Sequence, residues 1–196
     1  MIRAFVAVPI EDPVVRRRLE GARSLLPPLH GLRWVPPGQL HFTLKFLGEI
    51  EEERVTDARA CVAAAASGAA GRSAPFRLSL EGLGAFPPRG PARVVWAGCR
   101  EGAEELSALA AAVEEAFVAA GFPREERPFA PHLTLARVKD PEVGRRLTRA
   151  LASVPPEPFG VVPVPSLVLY RSELTPRGAE YSELLRAAIE SAAAPQ

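Results

Sequence analysis

The chain has 196 residues, with 24 Lys and Arg residues against 23 Asp and Glu residues, and a formal net charge of +1 at pH 7. This length predicts one domain that can bury a hydrophobic core without a disulfide or a structural metal. The balanced charge argues against a protein that coats nucleic acid, because such proteins carry a large basic excess. An enzyme that contacts only the end of an RNA remains compatible with it.

Hydrophobic residues make up 47% of the chain and charged residues 24%, which is typical of a folded globular domain and excludes a mainly disordered chain. The apolar residues 1–10 are followed at once by Glu11 and Asp12 and are too few to span a membrane. We therefore expect no membrane association and a cytoplasmic protein. The spacing of Cys61 and Cys99 predicts free thiols rather than a metal site.

Strand-like and helix-like segments alternate along the chain. Strands are predicted at residues 2–8, 33–35, 40–47, 76–83, 93–98 and 132–138, and helices at residues 12–26, 51–67, 101–120 and 141–151. A proline-rich stretch with β-branched residues follows, and segment 179–188 is compatible with either a strand or a helix. A histidine-bearing strand occurs in each half, which predicts a duplicated α+β fold with helices packed on antiparallel sheets.

Two of the three histidines share a sequence motif. Residues 41–44 and residues 132–135 both read His-x-Thr-Leu within a predicted strand. Because side chains alternate along a strand, His41 and Thr43 are expected on one face, and His132 and Thr134 likewise. The third histidine, His30, lies in a Pro/Gly-flanked loop and is interpreted as a surface residue.

The repeated motif supplies the groups needed for phosphodiester hydrolysis. Histidine titrates near neutral pH and can serve as general acid or general base. Each threonine hydroxyl can donate a hydrogen bond to a phosphoryl oxygen. Metal binding is the competing interpretation, but it needs a third or fourth ligand, and no Asp, Glu or Cys stands at ligand spacing near either motif. We therefore expect no metal and no cofactor.

Several flanking residues are further candidates for substrate binding. Lys45 has the strand parity of His41 and would add positive potential to a cleft. Arg137 has the opposite parity to its histidine and would need a bulge to reach the same face. The remaining candidates are aromatic residues that either stack on a base or pack in the core, namely Phe5, Trp34 and Tyr170.

The paired motifs resemble the HxTx motifs of the two-histidine (2H) phosphoesterase superfamily. More narrowly, residues 3–8, Trp34, residues 45–48 and residues 169–174 resemble the bacterial and archaeal RNA 2′,3′-cyclic phosphodiesterases, which are similar to 2′-5′ RNA ligases. The resemblance implies a single bilobal domain over residues 1–196, with antiparallel sheets lining a central cleft, helices outside and a pseudo-twofold axis. It also implies His41 as proton donor and His132 as proton acceptor, and it favours a role for Arg137.

The function implied is hydrolysis of a terminal 2′,3′-cyclic phosphate to a 2′-phosphate. The expected partners are RNA ends or nucleoside 2′,3′-cyclic phosphates, and the protein is expected to be a monomer. One alternative is the reverse reaction, ATP-independent joining of RNA ends through a 2′-5′ linkage. Another is a non-catalytic module that binds RNA ends or nucleotides.

Overall fold

The computed structural model describes residues 1–67, 75–176 and 178–189. Within these residues the strands are β1 (Ile2–Pro9), β2 (Leu32–Trp34), β3 (His41–Ile50), β4 (Phe76–Phe86), β5 (Val94–Glu101), β6 (Leu133–Val138), β7 (Pro158–Val164), β8 (Ser166–Thr175) and β9 (Gly178–Ala188). The helices are α1 (Pro13–Gly21), α2 (Val55–Ala66), α3 (Ala103–Ala119) and α4 (Pro141–Leu151). Segment 179–188, left open by its sequence pattern, is therefore a strand.

Helix α1 begins where the sequence predicts. The Asp12 carboxylate accepts hydrogen bonds from the backbone N–H groups of Val14 and Val15, and Pro13 occupies the first turn. The α-helix ends at Gly21, and a short 3₁₀ turn continues the chain to Leu25, so the helix is shorter than the predicted segment 12–26. None of the helices in the described ranges is long and apolar enough to cross a membrane.

The described strands form one antiparallel sheet of nine strands. Its order is β7-β4-β5-β6-β3-β1-β8-β9, and β2 pairs with β6 beside this path. The central strands β3 and β6 meet at a single paired position, Phe42 opposite Leu133. Strands correspond across this junction as β3 to β6, β1 to β5, β8 to β4 and β9 to β7. The predicted α+β, pseudo-twofold fold is confirmed, although its two lobes share one continuous sheet.

The two lobes exchange strands. Strand β4 follows α2 in the first half of the chain, yet it pairs with β5 in the second lobe. Strand β8 lies in the second half of the chain, yet it pairs with β1 in the first lobe. We call the β3-β1-β8-β9 side the His41 lobe and the β2, β6-β5-β4-β7 side the His132 lobe. Each lobe is therefore completed by two strands from the other half of the sequence, β8 and β9 in the His41 lobe and β2 and β4 in the His132 lobe.

The helices cover one face of the sheet and bury its apolar side chains. Phe42 and Leu133, at the central junction, are fully buried in the main core cluster. A smaller cluster lies beside α4 in the His132 lobe and contains Leu26, Ala92, Val95, Ala136, Val138 and Leu147. The opposite face of the sheet carries the polar residues of both motifs.

Candidate active site

The two histidine motifs meet at the junction of the lobes. Because Phe42 lies opposite Leu133 in antiparallel register, His41 is next to Thr134, and Thr43 is next to His132. Side chains opposite each other on one face of an antiparallel pair have Cβ atoms about 4.5–5.5 Å apart. The sheet thus gathers two histidines and two threonines about the pseudo-twofold axis.

Both imidazole rings are held by the same kind of hydrogen bond. Nδ1 of His41 lies 2.7 Å from the carbonyl oxygen of Gln39, and Nδ1 of His132 lies 2.7 Å from that of Ala130. A carbonyl oxygen only accepts, so Nδ1 must carry the hydrogen in each ring. Nε2 is then the nitrogen of each ring that can take up or release a proton at the reacting group.

The environment of His41 disfavours its charged form. Burial is the largest cause and lowers the pKa of His41, while the hydrogen bond to Gln39 opposes this shift. The positive charges of Arg137 and His132 lower the pKa further. The same positive charges attract anions to the surroundings of His41. A phosphoryl group bound there would favour the protonated form of His41.

Strand β3 departs from regular alternation at Leu44. Thr43 pairs with Ala7 of β1 and Lys45 pairs with Val6, so Leu44 is an extra residue that forms a β-bulge. The bulge reverses the parity of Lys45 and Phe46, and a second register shift follows at Leu47. Lys45 is consequently on the core side of the sheet and is only 2% exposed.

The prediction that Lys45 adds positive potential to the cleft is therefore wrong. Its ammonium group donates to Glu114 Oε2 at 2.6 Å and to the carbonyl of Pro123 at 2.9 Å. Glu114 also accepts from the N–H of Glu125, whose side chain accepts from the N–H of Phe46. Burial alone would raise the pKa of Glu114, but Lys45 and the Glu125 N–H lower it below its usual range. Lys45 thus ties α3 and the segment after it to the bulge in β3.

Strand β6 contains the corresponding bulge. Leu135 is the extra residue between the positions that pair with Val95 and Trp96 of β5. The bulge returns Arg137 to the face of His132, and the influence of its charge on the pKa of His41 places it beside the site. Arg137 needs a bulge in its strand to face the cleft, and β6 contains that bulge at Leu135.

Aromatic side chains surround His41. The ring of Phe5 lies 5.0 Å from that of His41, 5.3 Å from that of Tyr170 and 5.0 Å from that of Tyr181. Phe5 is only 4% exposed, so it packs against His41 as a buried supporting residue. It is therefore not available to stack on a base, which is one of its two roles expected from the sequence. Phe46, brought to this face by the bulge, is 57% exposed and lies 6.2 Å from Phe5.

Tyr170 and Tyr181 stand at the edge of this cluster. The ring of Tyr181 is edge-on to His41 at 5.5 Å, and the ring of Tyr170 is 6.4 Å from it. Burial is the main cause that raises the pKa of Tyr170 to about 12, with Glu183 adding to it. Its phenol therefore stays protonated at neutral pH. The role of Tyr170 in substrate binding stays a prediction.

A second aromatic group supports His132. The ring of Phe86 is edge-on to His132 at 5.0 Å and lies 5.5 Å from Trp96. The indole of Trp96 lies across Gly84, where a Cβ atom would stand 2.2 Å from the ring. The sequence pattern does not predict Phe86 as a site residue, because the predicted strand 76–83 ends before it, whereas β4 continues to Phe86. Residues 84 and 86 have the two-residue spacing of one strand face, but glycines at positions 82 and 84 are unfavourable in strands and hide this pattern.

Trp34 lies outside the site. It pairs with Ala136, which the β6 bulge turns to the core side, and its ring is covered by Arg23 at 5.2 Å. It packs against both core clusters. The interpretation of Trp34 as a substrate-binding residue is therefore wrong, because its strand position faces away from His41 and His132.

The described ranges also bear on metal binding and thiol chemistry. Within residues 1–67, 75–176 and 178–189, no group of three or more His, Cys, Asp or Glu residues is placed to hold a metal ion. Cys61 is buried and Cys99 is partly buried, and both are free thiols as predicted. Burial is the main cause that raises the pKa of Cys99 to about 11, so its thiol is protonated at neutral pH. Metal-independent chemistry stays a prediction.

Comparison with known proteins gives consistent matches over most of the chain. The family model described as the 2′-5′ RNA ligase superfamily matches residues 10–176. The RNA 2′,3′-cyclic phosphodiesterase of Archaeoglobus fulgidus is 38% identical over 185 residues, which cover 93% of this chain and 98% of that protein. The protein of the same name from Thermus thermophilus is 40% identical over 188 residues, covering 93% of this chain and 88% of that protein.

Solved structures show the same architecture. The crystal structure of TT0787 of Thermus thermophilus superimposes with a TM-score of 0.78 at 37% identity, covering 96% of this chain and 98% of that one. The crystal structure of Escherichia coli LigT complexed with 3′-AMP superimposes with a TM-score of 0.75 at 27% identity, covering 97% and 99%.

Proposed function

The chain belongs to the 2′-5′ RNA ligase superfamily, and we propose that it is an RNA 2′,3′-cyclic phosphodiesterase. Three relatives of that name share 34–40% identity with it over most of their length. The observation that carries the proposal is the arrangement of His41 and His132, each with Nδ1 fixed by a carbonyl and Nε2 left for proton exchange. The substrate is a terminal 2′,3′-cyclic phosphate, and the product is a 2′-phosphate.

The reaction needs one base and one acid at the phosphorus. Neutral His132 accepts a proton at Nε2 from the attacking water, whose oxygen forms a bond to phosphorus. The bond from phosphorus to O3′ breaks, and protonated His41 donates its Nε2 proton to the leaving oxygen. Thr43 and Thr134 donate hydrogen bonds to the non-bridging oxygens, where negative charge develops.

The assignment of His41 as the acid depends on the substrate. Burial and the charges of Arg137 and His132 lower the pKa of His41 in the ligand-free protein. The anionic cyclic phosphate offsets these charges and favours the protonated form that an acid requires. Loading of substrate and protonation of His41 are therefore coupled.

Phe46 is the aromatic residue best placed to meet a base. It is exposed on the face of His41, whereas Phe5 lies buried below it. Every base offers a flat face for stacking, so this contact would hold the terminal nucleoside without selecting its sequence.

The same groups serve ligation, because the base and the acid keep their roles when another hydroxyl group attacks phosphorus in place of water. The family description names this activity, and a 5′-hydroxyl of a second RNA would replace water as the attacking group. Water is present at far higher concentration than RNA ends. We therefore infer that hydrolysis dominates unless the second RNA is held in place.

The test is an RNA oligomer that ends in a 2′,3′-cyclic phosphate, incubated with the protein in EDTA and followed by phosphorus NMR. The expected result is loss of the cyclic signal and appearance of a 2′-phosphate. His30→Ala is the matched control and should keep full activity, since His30 is exposed in the turn before β2 and belongs to neither motif. Binding without turnover would contradict the proposal and support a non-catalytic RNA-end module. A parallel sample with a 5′-hydroxyl RNA measures ligation.

A further inference from the structure

Two arginines lie directly opposite each other on neighbouring strands. Arg33 of β2 pairs with Arg137 of β6, so their side chains project from the same face of the sheet. Both residues are exposed. At such positions the Cβ atoms are about 4.5–5.5 Å apart, and like charges destabilise the pair.

Neither guanidinium is neutralised by a carboxylate in the part of the chain that the structure describes. Among the residues that the structure describes, neither Arg33 nor Arg137 forms an ion pair with a carboxylate. Other arginines do form such pairs, as Arg186 does with Glu11 and Glu183. An adjacent, unneutralised pair of guanidinium groups is suited to a phosphate, whose oxygens accept their parallel N–H bonds.

The arginine pair adjoins the candidate active site. Burial is the main cause that lowers the pKa of His41, and the charge of Arg137 lowers it further. Burial raises the pKa of Tyr181, and the charge of Arg137 opposes this shift, so Arg137 lies near both side chains. Strand β2 runs along the same edge of β6 as β3, because β5 occupies the other edge. The N–H of Val35 extends this pairing by donating to the carbonyl of Leu135 at 2.8 Å. The pair therefore lies on the cleft face, beyond the Thr134 position by about one strand repeat, roughly 6.6 Å.

The arginine pair is thus offset from the two-histidine site along β6, so a substrate that occupies both must carry a second phosphate beside the terminal one. We propose that Arg33 and Arg137 bind the phosphodiester on the 5′ side of the terminal nucleoside while the cyclic phosphate occupies the two-histidine site. The inference rests on the proposed function and names the substrate class more narrowly. The site then recognises the end of an RNA chain in preference to a free nucleoside 2′,3′-cyclic phosphate.

The experiment compares three substrates. The first is a dinucleotide with a terminal 2′,3′-cyclic phosphate, the second is the same dinucleotide with a neutral methylphosphonate linkage, and the third is adenosine 2′,3′-cyclic phosphate. The protein variants are Arg33→Gln and, as the matched control, Arg17→Gln, which removes an exposed arginine from α1 on the other face. The readout is kcat/KM for each combination.

The unaltered protein should prefer the charged dinucleotide over both other substrates by about tenfold, the effect expected of one charged hydrogen-bonded contact. Arg33→Gln should lose most of this preference while keeping its rate on adenosine 2′,3′-cyclic phosphate. Its rates on the charged and neutral dinucleotides should move closer together, because Arg137 alone still contacts the charged linkage. Arg17→Gln should behave like the unaltered protein.

Two outcomes would overturn the inference. One is an equal loss on all three substrates in Arg33→Gln, and the other is an unchanged preference for the charged dinucleotide. If the unaltered protein turned over no substrate, the proposed function would fail instead. Calorimetric affinity for the two dinucleotides would then still show whether Arg33→Gln alone loses the contact to the charged linkage.

Discussion

At the scale of single residues, each imidazole is oriented by the chain that precedes it. The carbonyl oxygens two residues before His41 and His132 accept from Nδ1, so the backbone selects the tautomer that exposes Nε2. The motif spacing alone predicts that each histidine shares a face with its threonine. It does not predict the tautomer, because the backbone path before each motif is set by the loops rather than by strand alternation.

The pKa of His41 provides a direct test of this local geometry. His41 should protonate at a lower pH than an ordinary histidine, because burial and the charges of Arg137 and His132 disfavour the imidazolium. Removing one positive charge should raise the pKa of His41 in Arg137→Gln. NMR titration of the imidazole proton measures both values. An unchanged pKa in Arg137→Gln would place Arg137 away from His41, and Arg17→Gln serves as the control that should cause no shift.

At the scale of elements, the two bulges decide which residues reach the site. Each motif ends in a leucine that is an extra residue in its strand, Leu44 in β3 and Leu135 in β6. Simple alternation therefore predicts His41 correctly but misplaces Lys45, four residues later. Nothing in the local composition marks either bulge, because its position depends on pairing with β1 or β5. This is why Phe46 could not be predicted as a cleft residue.

The support of His132 by Phe86 and Trp96 should depend on Gly84. A Cβ atom at this position would stand 2.2 Å from the indole, so Gly84→Ala must displace Trp96 and with it Phe86. We expect a loss of stability of about 1–3 kcal/mol, typical of overpacking, and a lower kcat. Denaturant unfolding and steady-state kinetics measure the two effects. Gly21→Ala has open space around its Cβ and should cause neither change.

The Lys45–Glu114 pair should contribute to stability rather than to catalysis. Lys45→Met leaves Glu114 without its partner and should lower the free energy of unfolding by about 3 kcal/mol. Because the pKa of Glu114 is lowered in the folded state, this contribution is present above the ordinary glutamate pKa and is lost as the pH falls through the lowered value. Denaturant titrations at several pH values measure it.

The double variant Lys45→Met/Glu114→Gln should recover part of the loss, since no unpaired charge remains. The exposed pair of Arg145 and Glu142 is the matched control, and Arg145→Gln should cost less than about 1 kcal/mol. An unchanged stability in Lys45→Met would contradict the buried position of this ammonium group.

At the scale of the whole molecule, the lobes are related by symmetry but differ in chemistry. Phe46 and Arg137 occupy corresponding positions across the axis, each two residues after the bulge of its strand. One of the two side chains is aromatic and the other is cationic. This asymmetry gives a substrate only one favourable orientation in a site whose four central groups are nearly symmetric. The formal net charge of +1 is compatible with such a site, because the positive charge it needs is local.

Strand exchange predicts that the two lobes unfold together. Both tryptophans of the chain, Trp34 and Trp96, lie in the His132 lobe, and both tyrosines, Tyr170 and Tyr181, lie in the His41 lobe. Denaturation followed by tryptophan fluorescence and by fluorine NMR of fluorotyrosine should give coincident midpoints. Separate midpoints would contradict the prediction of a single domain over residues 1–196.

The central claim is that His41 and His132 act as an acid–base pair on a cyclic phosphate. Its most direct test is the pH dependence of single-turnover hydrolysis of adenosine 2′,3′-cyclic phosphate by the unaltered protein, His41→Ala and His132→Ala. The account predicts a bell-shaped profile for the unaltered protein and a loss of roughly 10²–10⁴ in rate for each variant, with one limb of the bell missing. A monotonic profile for the unaltered protein, or near-normal rates in both variants, would contradict it.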